Sequence, residues 1–156
     1  MNEQITLPIT AFRLSGENGF IELTIDEAFD FPHITSHAGG YAVQGRLAIR
    51  ADEYTVSNAI HYFSTGELYE FSNALKQCYE TFSGVAVLEN FDRALELKCE
   101  FNRFGHVIMS GTFQAKPSSN NSLAFEFKTD QTQVKEAITS LDDIYKIFGG
   151  NKGILR

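Results

Sequence analysis

Four histidines are the first side chains to weigh for chemistry. His33 and His37 stand four apart, the spacing of two metal ligands on one helix face. Pro32, Gly39 and Gly40 surround them, which speaks against a helix, and no third ligand stands at a motif spacing. They read as loop histidines. His61 falls in a predicted strand and His106 beside a turn, neither with a Ser or Cys partner in a recognisable setting. Triads assemble from distant positions, so a Ser-His-Asp arrangement stays open, but no G-x-S-x-G elbow announces one. Two glycine-rich runs, SGENG at 15–19 and GGNKG at 149–153, lack the strand-to-helix setting of a phosphate loop. The first reads as a hairpin turn and the second as a helix stop leading into a tail. No catalytic, metal or cofactor site is expected.

The acidic residues say more as a field than as pairs. Glu22, Asp26, Glu27 and Asp30 fall close together, and Asp52 with Glu53 turns the neighbouring hairpin. Residues 1–60 set these six and Glu3 and Glu17 against Arg13, Arg46 and Arg50. Such an edge can imitate nucleic-acid phosphates for a basic nuclease and speed its association. It is also what a solvated strand face looks like when it serves only solubility. Phe29 and Phe31, beside the acids and next to an irregular loop, suit either anchors in a binding patch or members of the core. The candidate partner-binding set is Glu22, Asp26, Glu27, Asp30, Phe31, Asp52 and Glu53.

At 156 residues the chain is long enough for one domain with a substantial core. Fourteen Phe and six Tyr without a Trp imply a Phe-rich interior. A net charge of −7 argues against a sequence-independent grip on nucleic acid, which needs clustered Lys and Arg. It suits a basic protein partner, as it suits many ordinary acidic proteins. The start, MNEQITLPIT, has neither a basic n-region nor an apolar run, and no stretch approaches the ~18 apolar residues of a membrane span. A cytoplasmic location is therefore expected. Cys78 on a helix stripe and Cys99 in a strand read as buried thiols in a reducing compartment, with a disulfide as the other reading.

The elements that position these residues come in two similar halves. Residues 5–14 form an edge strand containing Pro8, and FIELTIDEAF from Phe20 alternates in the manner of a half-buried strand. After an irregular stretch at 30–40, 41–51 and 54–63 make a hairpin turning at Asp52 and Glu53. A helix then runs from a Ser64/Glu67 capping box, along a stripe of Leu68, Phe71, Leu75, Cys78, Tyr79 and Phe82, to Gly84 as its stop. The second half reads as strands at 85–90, 93–102, 106–115 and 123–129, with turns at 90–92 and 103–105, and a helix from Asp130 to Phe148. A shift of 66 residues lays the first helix on the second, Ser64 on Asp130 and Glu67 on Gln133, with Tyr79, Phe82 and Gly84 on Tyr145, Phe148 and Gly150. Either an internal duplication, 1–84 and 85–150, or a shared helix recipe accounts for this. The expected architecture is α+β: one domain over 1–156, a curved antiparallel sheet of about eight strands, and two helices packed on one face.

The stretches GGYAVQG (39–45), YFSTGELYEF (62–71) and FGGNKG (148–153) resemble those of the WapI-type bacterial immunity proteins. Those proteins protect bacilli from a WapA contact-dependent toxin, a nuclease attacking tRNA. The resemblance runs from the Phe20 strand to the tail and rests on turn and cap signatures. It implies a non-enzymatic, cytoplasmic inhibitor that binds the toxin's C-terminal domain, with no cofactor and no direct contact to nucleic acid or membrane. It carries over no toxin-contacting residues and leaves the oligomeric state open. Two other classes stay in view: a small-ligand domain with a Phe-lined pocket between sheet and helices, and an enzyme in which a histidine meets an acid or hydroxyl.

Overall fold

The computed structural model describes residues 5–102 and 104–155. Glu3, and Arg103 of the turn expected at 103–105, lie outside the described residues. Eight strands and two helices follow in the order ββββα, twice: β1 (Ile9–Gly16), β2 (Gly19–Ala28), β3 (Ala42–Ala51), β4 (Tyr54–Ser64), α1 (Thr65–Thr81), β5 (Gly84–Glu89), β6 (Leu95–Phe101), β7 (His106–Phe113), β8 (Leu123–Asp130) and α2 (Gln131–Phe148). Each strand pairs antiparallel with the next, as short connections between alternating segments require.

The fold is α+β as expected, but the single curved sheet is replaced by two four-stranded sheets, β1–β4 (sheet A) and β5–β8 (sheet B). They meet where β1 passes β8, and the only ladder contact there among the described residues is one bridge between Glu17 and Lys128. Side chains finish the joint: Thr129 Oγ1 donates to the Ser15 carbonyl, and Gln133 Oε1 accepts from the Ser15 N–H at 3.3 Å. Eight twisted strands in one open sheet tend to curl or split, and here the split falls between β4 and β5. The helices complete it by crossing over. α1 packs mainly along β5 and α2 along β1, so each helix leans on a strand of the other half, while Phe71 of α1 also reaches Phe12 of its own half. One core results, with Phe12 of β1 meeting Phe71 of α1 within the first unit and Phe82 meeting Phe101 of β6 across the units.

The first helix starts as its sequence dictates. Ser64 Oγ accepts from the Glu67 N–H, and Glu67 Oε1 accepts from the Ser64 N–H at 2.7 Å. In α2 the reciprocal half is missing: Asp130 caps Gln133, whose side chain is spent on Ser15 instead. The stop of α1 also differs from expectation. Phe82 caps the helix in the left-handed conformation, with φ of 47°, whereas Gly84, itself at a positive φ of 95°, already opens β5. The burial of the Phe82 ring edge-on to Phe101 holds it there. No helix among the described residues is long and apolar enough to cross a membrane.

Candidate protein-binding surface

The three stretches behind the resemblance are brought to one place. Gly39 accepts from the Gly66 N–H, Tyr41 exchanges hydrogen bonds with Thr65, and Gly40 donates to the Asn151 carbonyl. The Tyr41 hydroxyl donates to the Pro32 carbonyl and accepts from the Ile154 N–H, both at 3.0 Å. Gly66 has no room for a Cβ, which would fall on the Gly39 backbone. Gly40 has a positive φ and lies just as close to Thr65. These motifs therefore lock the tail, the helix start and the loop before β3 together. Their role is architectural.

The candidate set does not form one cluster. On the outer face of sheet A, Glu22 pairs with Arg13 at 3.0 Å and Asp26 takes Arg46 in a bidentate grip, so these two acids are already neutralised locally. A bulge in β2 between Ile25 and Glu27 sets Glu27 opposite Gln44, beside that pair. Asp30 turns the chain after β2. Asp52 and Glu53 sit at the β3–β4 turn, at the other end of β2, about 30 Å away at ~3.3 Å per residue. Among the described residues Glu27, Asp30, Asp52 and Glu53 have no ion-pair partner. Phe31 belongs to the core's margin, edge-on to Tyr41 and Phe148. It is half-buried and holds the loop in place.

Sequence reasoning missed the apolar part of this face. Ile60 and Tyr62 point outward from β4, 57% and 56% exposed, opposite Arg46 and Gln44 on β3. The alternation of β4 put its apolar side chains on both faces, so the wet set was not separable by pattern alone.

The histidines do not converge. His33, His37 and His106 are exposed, whereas His61 is buried between a stacked Phe63 and the edge of Phe113. Burial lowers the His61 pKa to about 4, against a smaller opposing pull from Asp92. Burial pushes the Glu67 carboxyl up, and the amides of Ser64 and Phe91 resist by favouring its charged form. No group of three His, Cys, Asp or Glu among the described residues is placed to hold a metal ion. An open cleft of about 950 Å³ lies between residues 5–7, the end of β2, the loop at 31–33 and the C-terminal end of α2.

A family model described as the immunity protein WapI-like family matches residues 12–149, from β1 to the cap of α2. The chain belongs to the WapI-like immunity protein family. No curated protein matches it. Membership makes a protein partner, a toxin, the relevant ligand class. In this chain the turn and cap signatures hold the scaffold together.

Proposed function

We propose that this chain acts in the cytoplasm as a stoichiometric, non-catalytic inhibitor that binds a cognate contact-dependent toxin, with a tRNA-attacking nuclease domain as its target. The WapI-like family match over residues 12–149 carries the reading. Charge supports the nuclease: a domain that grips RNA phosphates presents Lys and Arg, and this chain carries a net charge of −7. Glu27, Asp30, Asp52 and Glu53, without an ion-pair partner among the described residues, would steer such a domain toward the sheet between them. Glu22 and Asp26 serve differently, since each would have to trade its arginine for a partner's. Protection of a producing cell calls for nanomolar binding, about 12 kcal/mol of association free energy. Charge supplies the encounter rate, and buried contacts must supply most of that energy.

Co-expression with the C-terminal domain of a large secreted protein encoded directly upstream tests the proposal. Growth rescue together with co-purification in a one-to-one complex is the expected result. Rescue without a complex would point to an enzyme or a target-protecting factor, and absence of rescue would refute immunity against that toxin.

A further inference from the structure

The part of the surface best built for docking is the end of β4 together with the turn after β5. Asn90 is 4% exposed, yet both ends of its amide are engaged: Nδ2 donates to the Tyr62 carbonyl at 3.1 Å, and Oδ1 accepts from the Leu95 N–H at 2.9 Å. The Asp92 carboxylate accepts from Asn90 Nδ2 and from the Ala94 N–H, closing the turn. A buried asparagine thus fastens a turn of sheet B to the edge strand of sheet A. What this turn presents is Phe91, 74% exposed, its ring meeting His37 edge-on at 5.0 Å. A large apolar side chain on so constrained a turn has already lost much of the freedom that binding would otherwise cost.

Across the sheet junction, Ile60 and Tyr62 extend the apolar surface onto β4. The charges around it are one-sided. Arg46 is held by Asp26 and Arg93 by Glu89, while Glu27 and Asp92 have no cationic partner among the described residues. The acids beside the patch are thus free while the two neighbouring arginines are paired, which matches an apolar-centred surface rimmed by Lys or Arg.

We propose that Ile60, Tyr62 and Phe91 form the anchoring patch for a basic protein partner, the toxin domain of the proposed function. The assignment rests on that reading.

The test measures affinity of the full chain for the C-terminal domain of the secreted protein encoded directly upstream. Three proteins are compared: wild type, the triple variant Ile60→Ala/Tyr62→Ala/Phe91→Ala, and Phe104→Ala, which removes an equally exposed ring at the opposite end of sheet B. All three positions of the triple variant are exposed, and thermal unfolding verifies that it folds. The triple variant is expected to bind at least 100-fold more weakly and Phe104→Ala within twofold of wild type. Glu27→Lys is expected to slow association and flatten its salt dependence. Equal binding by wild type and triple variant would overturn the patch while leaving the immunity reading intact. A wild type that forms no complex would overturn the reading and the assignment together. Self-association of the free chain that the triple variant abolishes would give the patch to a second copy of this chain and overturn the proposal.

Discussion

Replacing Tyr41 by Phe isolates the lock between the tail and the rest of the molecule. The ring stays, and with it the edge-on contacts to Phe31 at 4.8 Å and the packing near Phe148. Only the hydroxyl goes, taking one hydrogen bond to the Pro32 carbonyl and one from the Ile154 N–H. A net hydrogen bond is worth about 0.5–1.5 kcal/mol, and a buried group left unpaired costs about 1–3 kcal/mol. Ile154 is 45% exposed, so its N–H can find water, whereas the Pro32 carbonyl is half-buried under the ring. The lower part of each range therefore applies, and the expected loss is about 1–2 kcal/mol. With a urea m-value of ~2 kcal/mol/M the unfolding midpoint should fall by about 0.5–1 M at unchanged m. Amide exchange should localise the damage: Gly40, which donates to Asn151 in the tail, should exchange faster, along with Ile154. A midpoint that does not move, with unchanged exchange at both amides, would refute the claim that this hydroxyl holds the tail.

At Gly66 two effects oppose each other. Alanine improves helix propensity by about 0.5–1 kcal/mol, but its Cβ would strike the Gly39 backbone, and overpacking of that kind costs about 1–3 kcal/mol. The clash should win, and a melting temperature at or above wild type for Gly66→Ala would show that the contact is slack. His61 should make the protein acid-sensitive. Its pKa is lowered to about 4, so between the ordinary 6.5 and that value the unfolded chain holds a proton that the native chain does not. Its contribution is complete above pH 6.5 and is lost as the pH falls toward 4, up to about 3 kcal/mol. His61→Phe should escape that loss, and parallel stability–pH curves for variant and wild type would contradict it. Finally, burial raises the pKa of both Cys78 and Cys99, so neither thiol should react with a disulfide reagent in native protein. Both should react in urea, and rapid native labelling would mean that α1 opens from sheet B.

Short-range signals carried most of the secondary structure. The capping box at Ser64 and Glu67, the alternation of β2 and the Asp52–Glu53 turn are encoded in adjacent residues and formed where the sequence put them. The stop of α1 did not, because Phe82 is held in a left-handed conformation by a ring contact with Phe101, nineteen residues on in another strand. The proposed binding face was legible only in halves. Charge marked Glu22, Asp26, Glu27, Asp30, Asp52 and Glu53, but which acids are free depends on whether an arginine stands across the strand. Arg13 and Arg46 neutralise two of them by register, which residue counts cannot show.

What the sequence determined by itself was the ββββα order in each half, the amphipathic stripe of each helix and the acidic balance, all consequences of period and composition. Tertiary structure decided where each stripe would be buried. Residue periodicity tells a helix to cover an apolar sheet face without saying whose, and here α1 covers β5 while α2 covers β1. The strands form two sheets, with β4 on an edge of the first. There buried Asn90 fastens Phe91 beside Tyr62. The patch exists because residues 28 apart in sequence, on different sheets, share one hydrogen bond across the junction, and no local pattern encodes that distance.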